Sequence, residues 1–121
     1  MPLGRVRCKP SRTVVEEELP PGMSRYVFGL LRRAPGRPEI SADKTDRIQE
    51  AHLAGLRRLL ASGDLIAAGP FEEDRDERGL LIFRTSSIET AKRLMQDDEA
   101  LVHGRLTLDL YTWWGPSGLT H

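Results

Sequence analysis

The stretch that decides the fold is "IQEAHLAGLRRLLASGDLIAAGPF", residues 48–71. Ile48, His52, Leu56 and Leu59 fall at i, i+4, i+8 and i+11, which places them on one face of an α-helix. Leu53 and Leu60 widen that face, while Arg47, Glu50, Arg57 and Arg58 mostly serve the other side. Gly63 ends the helical period, and Leu65 to Ala68 reads as a short strand running into Gly69-Pro70. One place on the apolar face is thus held by an imidazole. Spacing alone favours a core histidine held by one hydrogen bond, since a buried titratable group is only a probabilistic mark of function.

N-terminal to this stretch, the spacing predicts a strand over Arg25 to Leu31, apolar on both faces and therefore central. A loop with Pro35, Gly36 and Pro38 leads to the helix, which is predicted from Asp43, as N-cap, to Ser62. Beyond Pro70, the tract "EEDRDERG" reads as a solvated connection to a strand over Leu80 to Arg84. Ser86 and Glu89 have capping-box spacing at the head of a second helix, whose buried stripe is Ile88, Ala91 and Met95. The last strand runs from Arg105 to Trp113, with Leu106, Leu108 and Leu110 alternating with Thr107, Asp109 and Tyr111. The order β-α-β-β-α-β implies an α+β, ferredoxin-like domain with a four-stranded antiparallel sheet and both helices on one side. The other sheet face carries aromatic and aliphatic residues, so a homodimer is expected to cover it.

Residues 1–22 differ from the rest. Arg5, Arg7, Lys9 and Arg12 are followed by Glu16-Glu17-Glu18 and Pro20-Pro21-Gly22, which reads as a flexible arm ahead of a domain at 23–121. Of the 121 residues, 18 are Lys or Arg and 18 are Asp or Glu, a balance that argues against nucleic acid or an anionic membrane as partner. No apolar run is long enough to span a bilayer, and no apolar signal-peptide core opens the chain. The one cysteine, Cys8, excludes an intrachain disulfide, so a cytoplasmic location is expected.

His103 and His121 complete the histidines, and without a cysteine pair they make no metal signature. No glycine-rich phosphate loop and no serine nucleophile elbow follow a strand, so no metal or cofactor is expected. Trp113-Trp114 reads as core or interface rather than a stacking platform. Arg25, Arg84 and Tyr111 are candidates for holding an anionic or phenolic group, and each reads equally well as surface or packing.

Four segments, in order, resemble the YciI-like (YCII-related) domain family. His52, Leu53, Leu56 and Leu59 match its H-L-x-x-L-x-x-L motif, while Gly63 and Ala68-Gly69-Pro70 match its next glycine and its A-G-P strand end. "DDEALVHG" stands where the family has Asp-Pro shortly before a Gly; aligning on Gly104 puts Asp98 on the family Asp, with Asp97 as the alternative and Glu99 in place of Pro. "YVFGLLRR" and "YTWWGP" are similar to one subgroup. The resemblance spans about residues 24–118. It implies a fold of the dimeric α+β barrel type and an active-site pair of His52 and Asp98, and so turns the reading of His52 from packing to function.

A His–Asp pair without an activated Ser or Cys suits proton transfer: elimination, isomerisation or lactone chemistry on a small molecule. Dehydrochlorination of a chlorinated hydroxyhydroquinone is the nearest precedent that the resemblance implies. The alternative is a non-catalytic dimeric domain that binds a metabolite or a protein. If the pair forms, His52 and Asp98 are expected within hydrogen-bond reach, directly or through one water, at a shared cavity.

Overall fold

The computed structural model describes residues 19–119. The arm's first eighteen residues, with Cys8 and the basic stretch, lie outside them, as does His121. Its last four do not hang free. They form a turn in which Met23 N–H donates to Pro20 O, and Ser117 N–H donates to Gly22 O at 2.8 Å.

Strand β1 spans Met23–Arg33 and helix α1 Ala42–Ser62, followed by β2 (Leu65–Pro70) and β3 (Glu77–Phe83). Helix α2 (Ile88–Met95) is followed by a single extra turn, α3 (Glu99–Val102), and β4 (Leu106–Pro116) closes the sheet. All pairings are antiparallel, in the order β2-β3-β1-β4. This is the expected α+β, ferredoxin-like arrangement, and β1 is indeed a central strand.

Several boundaries move, each for a local reason. The N-cap of α1 is Ser41, not Asp43: its extended backbone (φ −65°, ψ 155°) lets Oγ accept from Lys44 N–H. The N-cap of α2 is Ser87, not Ser86, so Thr90 takes the position that a capping box needs for Glu89. Gly63 stops α1 as expected, with φ 87° and its N–H donating to Leu60 O. Strand β3 begins inside the charged tract. There Glu77 lies opposite Arg32 of β1, and the tract holds Arg33 between Asp74 and Asp76.

Strand parity divides the sheet into two faces. Val27 and Leu31 of β1, Leu65 of β2, and Leu81 and Phe83 of β3 form the buried core with Ala91 and Met95 of α2. Leu56 and Leu59 of α1 and Leu106, Leu108 and Leu110 of β4 pack against it. Gly29 is the small residue of this face: a Cβ there would stand 3.2–3.3 Å from Leu108, Leu110 and Phe83, so the core closes over bare backbone. The opposite parity brings Phe28 beside Ile82 and Tyr111, and Leu30 beside Leu80, on a face that no described helix packs against.

Candidate active site

The helical face that carries Ile48 also carries His52, and both are buried. Asp98 comes from the segment after the second helix. Helix α2 ends at Met95, and Asp98 is the extended N-cap of the next turn (φ −62°, ψ 128°). Its Oδ2 accepts from the backbone N–H groups of Ala100 (3.1 Å) and Leu101 (3.2 Å). Those bonds fix the carboxylate where α3 meets α1. His52 Nδ1 lies 2.7 Å from Asp98 Oδ1 and 3.0 Å from Oδ2, and the two side chains are only 6% and 5% exposed.

The geometry separates Asp98 from Asp97, which is exposed. It also explains Glu99, where the family pattern has Pro. The position is the first helical residue after the cap, which needs no backbone hydrogen bond. An acidic side chain there complements the helix N-terminus.

A carboxylate only accepts, so Nδ1 carries the proton shared with Asp98. Whenever the ring is neutral, this leaves Nε2 as its acceptor. Nε2 has no partner among the described residues, yet no buried side-chain nitrogen or oxygen there is left unsatisfied. His52 lines a cavity of about 560 Å³ between α1, β1, β2, β3 and the head of β4, with Ile48, Leu53, Leu56 and Leu81 also among its walls. Asp98 does not line it. The carboxylate stands behind the ring and borders a separate hollow of about 460 Å³ near Ala54 and Gly55. The expected shared cavity is thus a correction: the cavity belongs to His52, and the carboxylate orients the ring from the rear.

None of the three candidates for holding an anion lines this cavity. Arg84 Nε donates to Gly63 O at 2.9 Å, closing the end of α1. Tyr111 packs on Phe28, ring centroids 6.1 Å apart, on the other sheet face. Arg25 sits on β1 opposite Trp114. The cations that do line the cavity are Arg33, Arg37, Arg57, Arg78 and Arg105, which sequence reasoning missed. They come from separate segments, and no local motif joins them.

A hollow of about 650 Å³ along β4 is lined by Ile88, Lys92, Leu108, Asp109 and Tyr111 among others. Lys92 approaches Glu89, and Asp109 is held by Arg32, so its charges are already answered. His103 is exposed and pairs with Glu99 across one helical turn. Among the described residues no group of three or more His, Cys, Asp or Glu is arranged to hold a metal ion. No described helix is long and apolar enough to cross a membrane.

Fold and site together define a small α+β domain with a buried, oriented imidazole facing a cavity. The family model of the YCII-related domain matches residues 31–107, and the chain belongs to that family. Among solved structures, it is similar to the 5-chloro-2-hydroxyhydroquinone dehydrochlorinase TftG from Burkholderia phenoliruptrix AC1100, in complex with 2,5-dihydroxybenzoquinone. The identity is 24%, the match covers 72% of this chain and 92% of that one, and the TM-score is 0.51, a likeness of fold. No curated protein matches the chain.

Proposed function

We propose that this YCII-related domain is a cofactor-independent lyase or isomerase of small molecules, with His52 as general base and acid and Asp98 as its orienting carboxylate. One observation carries the reading: Nδ1 is tied to a fixed carboxylate while the ring it belongs to lines a cavity. An imidazole held in that tautomer takes a proton at Nε2, and the carboxylate behind it stabilises the resulting cation. In an elimination, Nε2 removes a proton from carbon or oxygen, the electron pair forms the new double bond, and the leaving group departs with its bonding pair. In an isomerisation, the same proton returns to a different atom.

The test compares the wild-type protein with His52→Asn. Two reactions are read: chloride release from 5-chloro-2-hydroxyhydroquinone, the substrate in the neighbour's name, and solvent-deuterium exchange into enolisable acids. Turnover in wild type that falls by roughly 10²–10⁴-fold in the variant supports the reading. Equal turnover in both proteins overturns it.

A second reading keeps one specific observation on its side. Asp98 already has a structural duty as the cap of α3, so the pair also suits a binding domain in which it only braces two helices. The homodimer belongs to either reading, with Phe28, Leu30, Ile82 and Tyr111 on the face it would cover.

A further inference from the structure

The cavity at His52 has two chemistries in its walls. Leu53 and Leu60 are each 39% exposed, large apolar side chains left in contact with water, and both line it. The arginines line it too, and their charges are unequally answered. Arg33 is held by Asp74 at 2.9 Å and Asp76 at 3.2 Å, and Arg78 reaches Asp74 at 3.5 Å. Arg37 and Arg105 have no carboxylate partner among the described residues. Each instead donates to backbone: Arg37 Nη1 to Arg105 O at 3.1 Å, and Arg105 Nη1 to Pro38 O at 2.6 Å. Arg105 O also accepts from Ala34 N–H at 3.1 Å. The loop after β1 and the turn before β4 are thereby latched together, with two cations fixed at the latch.

Like charges so placed repel. Arg37 is held below the usual arginine range, first by partial withdrawal from water and then by the charges of Arg105, Arg33 and Arg78. Backbone carbonyls position these guanidinium groups without neutralising them. An anion between them would relieve the repulsion, and a planar oxyanion matches the guanidinium fork.

We propose that Arg37 and Arg105 form the anion-binding end of the His52 cavity, so that its ligand is a small organic carboxylate with an apolar body lying against Leu53 and Leu60. The anion site stands on the arginines alone; the role of such a carboxylate as substrate rests on the acid–base reading of His52. In that role the arginines would hold the carboxylate and lower the energy of the enolate that forms when Nε2 takes the neighbouring proton. They are binding residues, and the proton still goes to His52.

The experiment uses the full chain and two probes of nearly equal shape, benzoate and benzamide, followed by NMR titration of the arginine Nε–H and His52 ring signals. Wild type should bind benzoate at least about tenfold more tightly than benzamide. The double variant Arg37→Gln/Arg105→Gln should lose that preference while keeping its amide spectrum. His52→Asn should keep it, because the imidazole is not the anion's partner. Equal binding of the two probes by wild type overturns the proposal, and so does the absence of benzoate-induced shifts at these residues. The wild-type comparison decides the matter even if the double variant fails to fold. Retained turnover in His52→Asn together with arginine-dependent benzoate binding would sink the acid–base reading and leave the anion site standing.

Discussion

Asp98 spends one carboxylate on two tasks: it receives the His52 ring and it caps α3. Asparagine keeps one oxygen and puts an NH2 where the other stood. If that oxygen stays on the backbone N–H groups, the amide NH2 faces His52 Nδ1 and forces the proton to Nε2. Asp98→Asn should therefore keep the cap, at a cost of no more than about 1 kcal/mol, and still reverse the tautomer. Long-range ¹H–¹⁵N correlation of the His52 ring reads this directly. Asp98→Ala should lose both interactions and destabilise the fold by about 2–4 kcal/mol in urea melts. An unchanged tautomer in Asp98→Asn would show that the carboxylate does not set the ring's state.

His52→Asn separates packing from chemistry. A purely structural histidine would make this substitution costly, about 1–3 kcal/mol, through unsatisfied buried groups on Asp98 and the new amide. An imidazole at a cavity wall should tolerate it better, because the ring already borders empty space and asparagine can still donate to the carboxylate. The expected outcome is a folded protein, with a melting temperature a few degrees lower at most, and no turnover. Calorimetry beside the chloride-release assay supplies both numbers.

Much of the fold is legible in the sequence because it repeats along the chain. The helical period of Ile48, His52, Leu56 and Leu59 places the imidazole inward, and the alternation from Leu106 to Tyr111 gives the last strand its two faces. The family resemblance, not the spacing, singles out Asp98. The caps moved because Ser41 and Asp43, or Ser86 and Ser87, are all good caps, and only the backbone angles choose between them. Strand β3 begins early because Glu77 is held across the sheet by Arg32, an ion pair that hydropathy does not register. The cationic wall of the cavity is illegible for a deeper reason. Its arginines lie at 33, 37, 57, 78 and 105, and only the tertiary fold gathers them.

The uncovered sheet face should bring two copies together. Phe28 and Tyr111 lie side by side on it, and Leu30 and Ile82 extend the same apolar surface. Light scattering of the wild type at micromolar concentration should give twice the 13.6 kDa chain mass. The double variant Phe28→Glu/Tyr111→Glu should give a monomer, since burying two carboxylates against apolar neighbours is strongly unfavourable. A wild-type monomer would remove the dimer from the proposal and leave the His52 cavity untouched.

On that same face Arg32 draws together two strands that do not touch one another. Its Nε donates to Asp109 at 2.8 Å and its Nη1 to Glu77 at 2.9 Å, joining β4 to β3 across β1. The guanidinium is held above its usual range, chiefly by the bond to Asp109. The Glu77 carboxyl is held below its usual range, first by a backbone N–H and then by Arg75 and Arg32. A carboxylate with a depressed folded-state pKa stabilises the fold above its unfolded pKa, and the benefit is lost as the pH falls through the folded value. Glu77→Gln should therefore lower the melting temperature at neutral pH. The gap between variant and wild type should begin to narrow as the pH falls through the ordinary glutamate range and close below the depressed folded value, where both carry a neutral side chain. Thermal melts from pH 7 down to pH 3 test this, and a gap that stays constant throughout would mean that Glu77 acts through packing rather than charge.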